Sequence, residues 1–369
     1  MPERIEVRDA AATNGSAKSA ASSRLPGEER RRAVWEARYP ARFRIVWVAL
    51  AVLLAVIAVV EPQVLSGSSL KAVTALTGVL VLIALGTQLV LQTGQIDLSP
   101  GATITLVAAA VVHHSDAVEA RLGTAIGIAL AAAALIGLVN GLLIGLVGLN
   151  ALIVTLATAS VISGVTLLWL GVPPSPSGRV PDSLYDLAHA GIGPVSVVLV
   201  IALAAAVGVA WFLRRAPAGR RFVAIGGNPA AAEVLGLRVR THRAAVYVFA
   251  STMYGVAGVL AAGFVRSPDM TLGEQYLFTT IVAVALGGTL LHGGTASVSS
   301  TVAACVFLTL LDQLLAGRNI PAGYRVLVQG VVLVLAVAAV NVGSTTLAAL
   351  RRRARREPPS VATATAPPA

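Results

Sequence analysis

Gly94-Gln95-Ile96-Asp97-Leu98-Ser99 separates two apolar runs of the chain, and Pro100 and Gly101 follow it directly. A carboxylate within such apolar sequence is costly unless it faces protein or water, so Asp97 is a functional hypothesis by its position alone. Ser99 suits the N-cap of a helix, and Pro100 suits the first helical position. The stretch therefore predicts a break within a membrane region, after which a new helix begins.

The composition outside this stretch is that of a polytopic membrane protein. Of the 369 residues, 56% are hydrophobic and only 12% are charged, a balance that excludes an ordinary soluble domain. The net charge of +11 comes from arginine clusters beside apolar runs, which is the pattern of cytoplasmic loops and not of a nucleic-acid-binding protein. A single cysteine excludes a disulfide framework.

Apolar runs of roughly the 20 residues that a bilayer requires number about ten, although eight or nine spans remain possible. The expected spans are Ile45–Val60, Leu70–Gln92, Ala102–His113, Leu122–Val147, Ala151–Leu170, Pro194–Leu213, Ala244–Val265, Tyr276–Leu291, Ala296–Leu315 and Val326–Leu347. The sequence thus predicts an all-α transmembrane domain over residues 41–350. Residues 1–40 and 351–369 lack apolar periodicity and are predicted to be disordered tails.

Arginine clusters set the predicted orientation. They precede the first span, lie between the sixth and seventh spans, and follow the last span. The positive-inside rule places all three clusters, and hence both termini, in the cytoplasm. Two long loops result, an external one at 172–193 and an internal one at 214–243.

Polar residues near the break form a predicted substrate pathway. Discontinuous helices in transporters offer free backbone groups to a polar solute, and Asp97, Ser99 and Gln95 stand at such a helix start. Asn140 is the further polar residue that we assign to this pathway. The alternative is that Asp97 only caps the new helix or holds a neighbouring one.

The internal loop contains signals for a helix too short to span a bilayer. Asn228 suits an N-cap, Pro229 a first helical position and Gly236 a stop. Between them, Glu233, Val234 and Leu235 end a helix of roughly seven residues. A short helix on the cytoplasmic side can transmit force to a soluble motor, and the alternative, which the segment taken alone favours, is an ordinary interfacial loop helix.

Several glycines predict close helix contacts or chain breaks. Gly137, Gly141 and Gly145 recur at four-residue spacing, which gives a smooth helix face. Gly287 and Gly288 interrupt a later apolar run, as Gly94 and Gly101 do with Pro100 in the first break. Packing is the expected role of each glycine taken singly.

Four segments resemble the bacterial ABC importer permeases for ribose, xylose and related simple sugars, within the branched-chain amino-acid permease superfamily. They are the break at 94–101, the loop segment Ala224–Val239, the Ala-Leu-Gly-Gly-Thr segment ending at Thr289 with Gly293-Gly294 beyond it, and Gly141–Thr158. The resemblance covers about Thr74–Val340. It implies a multi-pass permease subunit of the bacterial inner membrane, moving a simple sugar delivered by an extracytoplasmic binding protein. It also implies a second permease subunit, identical or not, and a cytoplasmic ATPase, which the short helix between Asn228 and Gly236 would contact as a coupling helix.

The chain is not expected to be an enzyme or to bind a cofactor itself. Its two lysines, Lys18 and Lys71, do not follow glycines as a Walker A motif requires, so ATP would be used by the partner subunit. No Cys/His pattern predicts a metal site. Gln95, Pro100 and His292 depart from the family pattern, which leaves the solute open. The alternatives are an ABC permease for another polar solute, such as a nucleoside or amino acid, and an ion-coupled secondary transporter using Asp97 and Asp312.

Overall fold

The computed structural model describes residues 41–170, 178–290, 293–335 and 338, so both predicted tails lie outside the described residues. Apart from a hairpin of two-residue strands, β1 (Gly191–Ile192) and β2 (Val195–Ser196), its regular elements are helical. The main helices are α1 (Ala41–Val60), α2 (Gly67–Gln92), α3 (Pro100–Ser115), α4 (Glu119–Gly141), α5 (Ala151–Leu170), α6 (Asp182–His189), α7 (Val197–Arg215), α8 (Pro217–Gly227), α9 (Pro229–Val234), α10 (Val239–Val265), α11 (Glu274–Leu286), α12 (Val298–Gly317) and α13 (Ala322–Leu335). A 3₁₀ turn, Pro62–Leu65, joins α1 to α2, and a π-helical turn, Leu142–Val147, extends α4.

Seven helices in the described part of the chain are long and apolar enough to cross a membrane, which confirms an all-helical polytopic fold. They are α1, α2, α4 with its π-helical turn, α5, α7, α10 and α12. The other three expected spans correspond to the shorter helices α3, α11 and α13. The count of ten spans and the cytoplasmic termini therefore stay predictions. The predicted eighth span, Tyr276–Leu291, is longer than the helix, which ends at Leu286. The helix cannot continue because Gly288 adopts a positive φ of 88°.

Helices α2 and α10 form the centre of the molecule. Helix α2 is buried along most of its length and packs against α7, α10 and α12. Helix α10 contacts α2, α3 and α4, and its Tyr247 and Tyr254 are among the largest fully buried side chains. The outer faces of α1, α4, α5 and α7 expose large apolar side chains, as expected of helices that meet lipid.

Small residues allow α4 to approach α10 backbone to backbone. A Cβ atom added at Gly137 would lie 2.5 Å from the Tyr247 carbonyl oxygen, and one at Gly145 would lie 2.6 Å from the Ala244 nitrogen. Gly141, between them, faces the Ala244 carbonyl oxygen. The four-residue glycine repeat thus lies along this helix contact, where a side chain would separate the two backbones.

Two segments between the spans have more structure than the sequence predicted. In the external loop, α6 begins directly after Pro181, and its Leu184 is buried while Leu187 stays exposed. Helix α8 was not predicted. It begins at Pro217, a favoured first helical residue, and buries Phe222 and Ile225.

Candidate functional site

The break between α2 and α3 has a defined geometry. Helix α2 ends at Gln92, Gly94 turns the chain with a positive φ of 76°, and α3 begins at Pro100. A glycine suits that φ because a side chain is disfavoured there. The break predicted from the sequence lies where it was expected.

Asp97 lies within a buried hydrogen-bond network. One Asp97 carboxylate oxygen accepts from the Ser99 backbone N–H at 2.8 Å and from the Ser99 hydroxyl at 2.6 Å. The Asn140 side-chain amide donates to the Ser99 hydroxyl at 3.3 Å, and the Thr158 hydroxyl donates to the Asn140 carbonyl oxygen at 2.7 Å. The network thus ties the start of α3 to α4 and α5.

Tyr254 on α10 is a further buried polar side chain in this region. Its hydroxyl group is hydrogen-bonded to the Thr87 hydroxyl of α2 at 3.3 Å. Asp97, Ser99 and Asn140 are each at most 2% exposed. Their contacts suit the alternative in which Asp97 holds neighbouring helices, while a direct role in solute passage stays a prediction.

Ser99 does not cap α3 as predicted, and Gln95 does not join the polar network of Asp97. Ser99 occupies the N-cap position, but its hydroxyl donates to Asp97 and caps no helix N–H. Ser99 has helical φ and ψ angles of −87° and −9°, unlike a usual N-cap, and its hydroxyl oxygen accepts from the Asn140 amide instead. Gln95 stands apart from the network, and its side-chain oxygen accepts from the Thr93 hydroxyl at 3.5 Å.

A second interruption, between α11 and α12, packs against the first. The Gly294 N–H donates to the Gln92 carbonyl oxygen at 3.1 Å, and a Cβ added at Gly293 would lie 3.0 Å from the Gly94 nitrogen. Gly226 of α8 approaches the same carbonyl, since a Cβ there would lie 2.5 Å from it. The end of α2 is therefore in backbone contact with both the second break and α8.

Gly287 and Gly101 each lie at a helix contact. A Cβ at Gly287 would lie 2.9 Å from the Thr301 Cα, so the glycine lets the end of α11 approach α12. A Cβ at Gly101 would lie 3.0 Å from the Gly273 carbonyl oxygen, beside the start of α11. Both glycines therefore serve backbone approach near a break.

Helix α9 follows the predicted pattern closely. The Asn228 side chain accepts from the Ala231 N–H at 3.0 Å, Pro229 is the first residue, and Gly236 turns the chain with a positive φ of 76°. Ala232 packs with Ile225 and Val239, which fixes one face of the helix. Glu233 stays exposed, and Val234 and Leu235 are 88% and 79% exposed.

A polar cavity that the sequence did not predict lies among α2, α11, α12 and α13. Its volume is about 200 Å³. Asp312 and Arg325 form an ion pair across it at 2.8 Å, and the Thr279 hydroxyl donates to the Gln329 side-chain oxygen at 3.0 Å. Gln275 and Tyr276 add further hydrogen-bonding groups. Such a cavity could hold a polar solute through several hydrogen bonds.

Asp312 was visible in the sequence only as a carboxylate in an apolar run, and Arg325 only as a scattered cation. The two residues are thirteen positions apart, on either side of the turn between α12 and α13. Predicting a helical hairpin over this region would have placed them close together. In the described ranges, no group of three or more His, Cys, Asp or Glu residues could hold a metal ion.

Comparison with known proteins decides the family. Residues 69–337 match the family described as the branched-chain amino acid transport system, permease component. The chain belongs to this permease family. The match spans every helix from α2 to α13, so it covers both breaks, the polar cavity and α9.

Three curated relatives of this permease share most of their length with it. The ribose import permease protein RbsC of Escherichia coli K12 is 31% identical over 299 residues, covering 79% of this chain and 91% of the relative. The autoinducer 2 import system permease protein LsrC of Klebsiella pneumoniae is 36% identical, covering 77% and 82%. The galactose/methyl galactoside import permease protein MglC of E. coli K12 is 29% identical, covering 79% and 92%. No solved structure matches the chain.

These relatives are transport components and not enzymes, and the apolar helices make the permease a multi-pass membrane protein. The predicted resemblance to sugar ABC importer permeases is therefore confirmed.

Proposed function

We propose that the chain is the transmembrane subunit of an ATP-driven importer for a simple sugar or a compound of similar polarity. The observation that carries the proposal is the cavity beside Asp312 and Arg325, because hydroxyl-rich solutes are recognised by clustered side-chain donors and acceptors. The relatives RbsC and MglC, which are import permeases for ribose and for galactose and methyl galactoside, narrow the class of solute.

The proposed topology has ten spans with both termini in the cytoplasm. Added to the seven long helices, the shorter helices α3, α11 and α13 bring the number to ten. Shortened helices are tolerated at membrane depth where the adjoining non-helical backbone is satisfied by protein, and the two breaks contact each other through the Gly294 N–H and the Gln92 carbonyl oxygen. Reporter fusions near residues 20 and 360 test the topology, and an external signal from either would contradict it.

The proposed partners are a cytoplasmic ATPase, an extracytoplasmic binding protein and a second permease subunit, identical or different. Helix α9 is the proposed ATPase contact, because Val234 and Leu235 are solvent-exposed apolar side chains beside arginines. The chain itself is proposed to bind no cofactor, ATP being bound by the partner.

We assign different roles to the two polar clusters. Asp97, Ser99 and Asn140 position the start of α3, since their polar groups are largely engaged with one another. Asp312, Arg325 and Gln329 are the proposed solute contacts, because they line an open cavity. Gln95, half-buried at the break, remains a proposed pathway residue.

Uptake measurements test the function. The chain is expressed with its neighbouring ATPase and binding protein in cells lacking other importers, and accumulation of labelled ribose, xylose and galactose is measured. We expect saturable uptake of one of them that survives a protonophore and is lost with an inactive ATPase. Uptake that survives loss of the ATPase but collapses with the ion gradient would instead make the chain a secondary transporter.

A further inference from the structure

A large apolar groove lies at the arginine-rich end of the bundle and shares no lining residue with the polar cavity. Its volume is about 650 Å³, and α7, α8 and α10 supply most of its walls. The walls are formed largely by Gly208, Phe212, Phe222, His242, Phe249 and Met253. Phe212 and Phe249 remain exposed, and a Cβ added at Gly208 would meet no atom within 4 Å, so the groove opens beside the outer face of α7.

Each wall helix carries an arginine near the groove. Arg215 lies three residues after Phe212 on α7, and Arg221 lies three residues after the groove residue Ala218 on α8. Arg238 precedes His242 by four residues at the start of α10. Because helical residues three or four apart share a face, these arginines stand one turn beyond the apolar walls.

The arginines have no acidic partners nearby. Arg215, Arg221 and Arg238 are exposed and take part in none of the salt bridges found in residues 41–170, 178–290 and 293–335. Glu233 is the only carboxylate side chain between Asp186 and Asp269. Among the residues that the structure describes, these three arginines therefore have no ion-pair partner, and this end of the groove is positively charged.

An exposed tryptophan places this end of the groove at a membrane surface. Trp211, 64% exposed, comes four residues before Arg215 on the outer face of α7. Exposed tryptophan followed by arginine is typical of a helix leaving the hydrocarbon region for the headgroup layer. The apolar part of the groove would then lie at acyl-chain depth and its arginines at headgroup depth.

We propose that this groove binds one anionic phospholipid, with an acyl chain between α7 and α10 and the phosphate group held by Arg215, Arg221 and Arg238. Apolar walls suit the chain, and basic pockets between membrane helices suit anionic headgroups. The site is independent of the transported solute.

The test uses the purified full-length chain in detergent, with phosphatidylglycerol or phosphatidylcholine added and bound lipid counted by native mass spectrometry. We expect preferential retention of phosphatidylglycerol. The triple variant Arg215→Gln, Arg221→Gln, Arg238→Gln should weaken its affinity on the order of a hundredfold, since each basic residue near an anionic surface contributes about fivefold. The matched control, Arg351→Gln, Arg352→Gln, Arg353→Gln, removes the same charge from the C-terminal tail and should have little effect.

A second variant tests the acyl-chain part while keeping every charge. Gly208→Trp should fill the groove and displace the lipid, whereas Gly127→Trp, also at a position where an added Cβ meets no atom within 4 Å, should not. Equal retention of the two lipids would overturn the proposal. So would undiminished phosphatidylglycerol binding by Gly208→Trp, or an equal loss in the tail control.

Discussion

Replacing Val234 and Leu235 of the permease together with aspartate should abolish its association with the ATPase. The two side chains are 88% and 79% exposed in the isolated chain, so docking could remove nearly all of their apolar surface from water. Full burial of such a side chain stabilises by about 1.5 to 3 kcal/mol, so the pair contributes about 3 to 6 kcal/mol. At about 1.4 kcal/mol for each tenfold change in affinity, the loss is at least about a hundredfold. Two carboxylates without partners at the interface would add to it.

The same substitution should leave the permease folded, because neither side chain belongs to its apolar core. Its thermal unfolding temperature is therefore expected to stay unchanged, while the dissociation constant for the ATPase, measured on the purified subunits, rises. Ile192→Asp is the matched control, since Ile192 is also 79% exposed but lies in the hairpin β1–β2, on the opposite face in the proposed topology. An unchanged dissociation constant, or an equal loss with Ile192→Asp, would refute the coupling role of α9.

Two further predictions concern the polar clusters. Asp97→Ala should lower the unfolding temperature, because two buried Ser99 donors lose their acceptor at about 1 to 3 kcal/mol each, whereas Asp97→Asn keeps an acceptor oxygen and should retain most of the stability. Equal stability of the wild type and both variants, measured by thermal unfolding, would show that the network does not hold α3. Gln329→Leu should raise the KM of uptake about threefold to tenfold, the worth of one hydrogen bond to the solute. The unfolding temperature should change little, because the Thr279 hydroxyl that bonds Gln329 also donates to the Gln275 carbonyl oxygen. An unchanged KM with every tested sugar would remove Gln329 from the solute contacts.

Local sequence signals were sufficient for most helices and for the first break. Helix α5 has the bounds that its apolar run indicated, and Asn228, Pro229 and Gly236 marked α9 because capping chemistry acts over neighbouring residues. Helix α8 was not predicted, because its arginines suggested a solvent-exposed loop. Pro217 was the one signal for the start of a helix there.

Tertiary contacts could not be read in the same way. The Ser99 hydroxyl accepts from Asn140 on α4, and the Asn140 side-chain oxygen accepts from Thr158 on α5, so the network depends on two other helices. The sequence marked Asp97 as unusual, but only helix packing decides whether a carboxylate faces a solute or a neighbouring helix. The polar cavity is a similar case, because Thr279 and Gln329 are 50 residues apart and become neighbours only through the packing of α11 against α13.

The backbone contacts at the Gln92 carbonyl have a consequence for how the permease tolerates change. Gly226 and Gly294 meet this one oxygen atom without any intervening side chain. A displacement of α8, the neighbour of α9, would therefore reach both breaks directly through the main chain. Substitution of side chains around the Gln92 carbonyl would leave these backbone contacts in place. A single added methyl group at Gly226, in contrast, would push α8 away from the end of α2.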